Sequence, residues 1–91
     1  MIEVPMIEVR TRFIGPASDW SGWTEYPSAE KVREAVLTNP MAAWFQARHR
    51  FGMITGRTVP PPQPPEDWTS EKAVDEALAT LMGYYQDGLK E

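Results

Sequence analysis

Five prolines, Pro60, Pro61, Pro62, Pro64 and Pro65, fall within six positions and are broken only by Gln63. Proline lacks a backbone N–H and has a fixed φ, so this run suits neither a helix interior nor a central strand. Its natural state is extended polyproline II. Residues 60–66 therefore read as a stiff strap carrying the chain across the surface from one packed part to the next. Two PxxP frames, Pro61–Pro64 and Pro62–Pro65, have the spacing that SH3-type grooves read. Arg57 lies out of the usual basic register for such a ligand, so the strap is the preferred reading.

The cleanest element follows the strap. Val74, Ala77, Leu78, Leu81, Met82 and Tyr85 recur at i, i+3, i+4 spacing, while Lys72, Asp75, Glu76, Gln86 and Asp87 fall opposite. This predicts an amphipathic helix over 70–87, with Asp67, Thr69 and Ser70 as candidate caps and Gly88 as its stop. Before the strap, Ile7, Val9, Thr11 and Phe13 alternate with Glu8, Arg10 and Arg12, which predicts a half-buried strand over 6–14. Gly15-Pro16 ends it, 17–22 reads as a loop, and 23–26 reads as a second short strand in an antiparallel hairpin.

Ser28 caps a helix predicted over 29–38, with Val32, Ala35 and Val36 on one face. Asn39-Pro40 breaks it and suits the start of a further helix over 40–51, ending at Gly52. On that helix Met41, Trp44, Phe45 and Phe51 share a stripe. Residues 53–59 read as a short strand or an extended loop. The expected fold is a small α+β domain spanning 1–91: an N-terminal antiparallel β-hairpin followed by three α-helices, with the Pro-rich strap before the last. The duplicated MIEV at Met1–Val4 and Met6–Val9 suggests a redundant start at Met6, with 1–5 outside the packed domain.

Composition narrows the chemistry. Ninety-one residues suit one core rather than two. With no Cys there is no disulfide framework and no thiol nucleophile, and a single His removes two-His metal motifs. Phosphate-loop, dinucleotide, nucleophile-elbow and calcium-loop patterns are missing from the sequence. His49 has no evident orienting partner, and the adjacent acids at Glu66-Asp67 and Asp75-Glu76 read as caps and surface charge. No catalytic residue, cofactor site or metal site is therefore assigned. Without an apolar run near the roughly 20 residues of a membrane span, or a signal-like N-terminus, the expectation is a cytoplasmic protein with no membrane partner.

The net charge of −4 is unevenly placed. Residues 1–34 sum to −2, 35–65 to +3 and 66–91 to −5. The acid-free middle third holds Arg48, His49, Arg50 and Arg57 beside large aromatics. On the predicted 40–51 helix Arg48 falls inside the aromatic stripe, four residues after Trp44 and within stacking reach. One reading is an arginine that snorkels or pairs with a carboxylate of the hairpin or the last helix. The other is an open contact surface, since Trp and Arg dominate interface hot spots. Trp20, in a loop with Asp19, Ser21 and Gly22, adds an exposed aromatic.

The partner-binding candidates are thus Trp20, Trp44, Arg48, Arg50, Phe51 and Arg57. The leading expectation is a non-catalytic protein-binding accessory module, an adaptor or inhibitor of phage or mobile-element type, with an acidic partner surface and a possible homodimer. A nucleic-acid-binding protein using 44–57 is second, set back by the acidic last helix. A small-ligand protein or enzyme with a pocket between the hairpin and the 40–51 helix is third.

Overall fold

The computed structural model describes residues 6–13, 15 and 19–90. Met1–Pro5, with the first MIEV copy, lie outside the described residues, as do Ile14 and Pro16–Ser18 of the expected strand end and loop. The elements run β1 (Ile7–Phe13), β2 (Thr24–Tyr26), α1 (Ala29–Leu37), β3 (Ala42–His49), β4 (Gly52–Arg57) and α2 (Ser70–Leu89). The strands form one antiparallel sheet in the order β2-β1-β3-β4.

The architecture is two hairpin-plus-helix halves joined at the antiparallel β1/β3 seam. α1 packs on β1 and β2, α2 packs on β3 and β4, and the two helices touch. This is a small α+β domain, as expected, but among the described residues it has two helices rather than three. The segment expected as a 40–51 helix is β3 and the turn into β4. Ala43, Phe45 and Ala47 point into the core, while Trp44, Gln46 and Arg48 alternate outward. Both the 3.6 and the 2.0 period can be laid on these residues. The strand prevails because it pairs with β1 on one side and β4 on the other, burying Phe45 completely. Helix propensity, modest for this mixed composition, is outweighed by tertiary context.

The β3–β4 turn carries no turn-forming dipeptide. His49 pairs with Gly52, leaving Arg50-Phe51 as a two-residue loop, and neither residue has positive φ. The I′ and II′ turns favoured in hairpins require a positive φ, so this turn departs from them. The His49 side chain supports it: Phe51 N–H donates to Nδ1 at 3.0 Å, and Nε2 donates to the Leu81 carbonyl at 2.6 Å. At the other end of β3, Asn39-Pro40 forms a turn rather than a helix start, with Met41 N–H donating to Asn39 Oδ1 at 3.1 Å.

Both helices begin at their expected caps, but α2 runs through Gly88, expected as its stop, to Leu89. Ser28 Oγ accepts from Lys31 N–H and Thr69 Oγ1 from Lys72 N–H, satisfying first-turn donors. Val32 and Val36 of α1, with Val74, Leu78 and Leu81 of α2, meet Ile7, Val9, Phe45, Ala47 and Ile54 of the sheet. Ser70 Oγ donates to the Thr58 carbonyl at 2.7 Å and ties the start of α2 to the end of β4 across the proline segment. Both helices lie on one face of the sheet, and among the described residues no helix or strand covers its second face.

Candidate functional site

The uncovered sheet face is built by strand alternation. Residues whose neighbours point inward must point outward. The register then places outward side chains in rows across the strands. In the first row Trp20 bridges to Arg12, Arg12 pairs with Trp44, and Trp44 pairs with Arg57, so tryptophan and arginine alternate across the sheet. In the second, Arg10, Gln46 and Thr55 are opposite one another. Arg10 Nε donates to Gln46 Oε1 at 2.6 Å, and Gln46 Nε2 donates to Thr55 Oγ1 at 3.2 Å. In the third, Glu25, Glu8, Arg48 and Met53 line up.

Stacking ties the rows together. The Arg10 guanidinium lies 4.9 Å from the Trp20 ring centroid and 4.7 Å from that of Trp23. Arg48 lies 3.7 Å from the Trp23 centroid, and Arg57 lies 4.4 Å from that of Trp44. Each pairing is worth roughly 0.5–1 kcal/mol at an exposed site. The Trp20 loop is anchored to β1 by Thr11 N–H to Ser21 Oγ at 3.0 Å and Ser21 N–H to the Thr11 carbonyl at 2.8 Å. The indoles are half-buried platforms that hold guanidinium groups in fixed orientation.

Charge is sorted between the two layers. Glu71, Asp75, Glu76 and Asp87 are all exposed on α2, on the helical side. Arg33 Nε bonds Asp75 at 2.6 Å and Lys72 Nζ bonds Asp67 at 2.5 Å. The Lys72 ammonium holds the Asp67 carboxyl below the usual carboxylate range, and Lys72 is raised in turn; the Asp75 hydrogen bond raises Arg33. On the sheet side, Arg48 pairs with Glu8 at 3.1 Å. Among the described residues Arg10, Arg12 and Arg57 form no ion pair. The Arg57 Nε atom is shielded from solvent and has no hydrogen-bond acceptor among the described residues. Glu25 sits opposite Glu8 and is also unpaired among the described residues. Like charges directly opposite are destabilising in a sheet.

Comparison with protein-family models, with curated proteins and with solved structures gave no match.

Of the candidates read from sequence, Trp20, Trp44, Arg48 and Arg57 come together on this face. Arg50 and Phe51 do not. They occupy the β3–β4 turn with His49 and Tyr85, where Arg50 lies 4.5 Å from the Phe51 ring centroid and Phe51 packs 5.6 Å from Tyr85. The expected stripe of Met41, Trp44, Phe45 and Phe51 does not exist: Phe45 is core and Trp44 faces the other way. Arg48 does not stack on Trp44, since four strand residues separate them by about 13 Å. It pairs with the hairpin carboxylate Glu8 instead.

Sequence reasoning missed Arg10, Arg12, Trp23 and Gln46. The signal was the charged face of the 6–14 alternation and the i, i+3 pair Trp20/Trp23. Both become a surface only when β3 is a strand beside β1. The ligand pocket expected beside the 40–51 helix has no such helix to form it. A cleft of about 200 Å³ lies instead between the hairpin and α1, lined by Thr11, Ser21, Thr24, Tyr26 and Asn39. Among the described residues no group of three or more His, Asp and Glu side chains is placed to hold a metal ion, and no helix is long and apolar enough to cross a membrane.

Proposed function

We propose that this protein is a non-catalytic binding module that docks a protein partner on the outer face of its sheet. The partner surface is acidic opposite Arg10, Arg12 and Arg57 and neutral or basic opposite Glu8 and Glu25. One observation carries the reading: three arginines without ion pairs among the described residues stand on one tryptophan-studded, uncovered sheet face. Arginine and tryptophan dominate binding hot spots, and a stacked guanidinium loses less freedom when it meets a carboxylate.

The mixed charge supports a protein over a nucleic acid. A uniform polyanion gains from the arginine rows but meets the Glu8–Glu25 pair at the third. The indole faces that a base would need also hold guanidinium groups. A folded partner can match both signs. Affinity capture from a native lysate, with wild type beside Trp44→Ala and Arg48→Ala, tests the reading. The species retained by wild type is expected to be lost from both variants and to be protease-sensitive. Retention that nuclease abolishes and protease does not contradicts the protein assignment.

A further inference from the structure

The outer edge of β4 is an open strand edge beside a groove. Thr58 N–H donates to the Ala43 carbonyl at 2.9 Å, which sets the phase of the β3/β4 ladder. Ladder bonds alternate, so Gly52, Ile54 and Gly56 exchange hydrogen bonds with β3, while the backbone groups of Met53, Thr55 and Arg57 point away from it. Next to this edge lies a cavity of about 320 Å³. Trp44, Thr55 and Arg57 border it from the sheet; Ala73, Glu76 and Ala77 border it from α2.

We propose that this groove takes an extended segment of a partner protein as a fifth strand on β4. The segment carries an acidic side chain beside Arg57 and a small or apolar one toward Ala73 and Ala77. The proposal rests on the protein-binding reading above and says how that partner is held. Three observations fit one occupant. The edge offers backbone donors and acceptors at three alternate residues, the requirement for strand addition. Arg57 borders the groove and forms no ion pair among the described residues, and an incoming carboxylate meets its guanidinium. Glu76 on the helix wall disfavours a second acid on the inner side, so the acid is confined to the outward position.

A second copy of this chain fits less well. Antiparallel pairing of β4 on itself about Thr55 sets Arg57 against Met53, and β4 contains no carboxylate to meet the arginine.

The test uses the full chain and a displayed library of random heptapeptides, followed by amide hydrogen exchange with the synthesised winners. Winners are expected to carry Asp or Glu and to slow exchange at Met53, Thr55 and Arg57. Methylating alternate backbone nitrogens of a winner is expected to weaken binding by about tenfold or more, the loss of one or two net hydrogen bonds. Arg57→Gln is expected to weaken it as well. Thr55→Pro, which removes an outward N–H and leaves the bonds to β3, is expected to block binding while retaining cooperative melting. The methylated peptide gives the same answer on wild-type protein if that variant does not fold.

No enrichment over Thr55→Pro, or winners that leave the three amides unchanged, overturns strand addition. So does concentration-dependent protection in the protein alone, which assigns the edge to a second copy. If lysate capture still depends on Trp44 and Arg48 in any of these cases, the protein-binding reading stands without this mode.

Discussion

The Arg48 guanidinium lies 3.7 Å from the centroid of the Trp23 ring while its Nε bonds the Glu8 carboxylate at 3.1 Å. One arginine of β3 thus holds both β1 and the residue leading into β2. A double-mutant cycle on Trp23→Ala and Arg48→Ala, read by urea denaturation, is expected to give a coupling of about 0.5–1 kcal/mol. Additive losses would show that the stacking contributes nothing.

Two glycines are expected to respond oppositely to alanine. At Gly56 a Cβ overlaps the ring of Phe45, which is fully buried and cannot swing away. Gly56→Ala is expected to destabilise by about 1–3 kcal/mol. At Gly83, inside α2, a Cβ meets no atom within 4 Å. Gly83→Ala is expected to stabilise by roughly 0.5–1 kcal/mol through helix propensity. Thermal or urea melts of the two variants check both signs.

Both ring nitrogens of His49 are committed. The Leu81 carbonyl only accepts and the Phe51 N–H only donates, so the neutral ring carries its proton on Nε2. Nitrogen NMR of the ring is expected to show the Nε2–H tautomer. His49→Ala is expected to cost about 1–2 kcal/mol, because it removes the support of a turn that lacks favourable φ angles. A Nδ1–H tautomer contradicts the turn geometry.

The Asp67–Lys72 pair sets a pH dependence on the helical side. The Asp67 carboxyl is held down by the Lys72 hydrogen bond, so its folded pKa lies below its unfolded one. Its stabilising contribution is therefore present above the unfolded value and is lost as pH falls through the folded one. The group is exposed, so the effect on stability is small. Carbon NMR titration is expected to place the Asp67 midpoint below the usual carboxylate range in wild type and to return it toward that range in Lys72→Met. An unchanged midpoint in the variant removes Lys72 as the cause.

Most of the architecture was legible where periodicity had one solution. The 6–14 alternation, the Ser28 cap and the stripe from Val74 to Tyr85 each allowed a single reading, and β1, α1 and α2 follow them. The segment from Ala42 to His49 allowed two. Its alanines, Gln46 and Arg48 are acceptable to a helix, and Arg50-Phe51 gives no turn signal, because a side chain rather than backbone preference holds that turn. Misreading this segment hid the open face, since the outward row of β3 becomes a surface only when β3 is a strand. Trp44 and Arg48 are reached from sequence only through a helical stripe that the strand replaces, Trp20 through its loop, and Arg57 through the acid-free basic segment. Arg10, Arg12 and Trp23 depend on knowing which strands flank β1, which composition does not encode.

The most direct test of the account compares two charge-neutralised variants in native-lysate capture. One carries Arg10→Gln, Arg12→Gln and Arg57→Gln on the sheet face; the other carries Glu71→Gln, Asp75→Asn and Asp87→Asn on α2. With both variants folded by cooperative melting, the sheet-face variant is expected to lose the protein that wild type retains, and the α2 variant to keep it. Loss of that protein from the α2 variant, with retention by the sheet-face variant, would contradict the assignment of the sheet as the binding face.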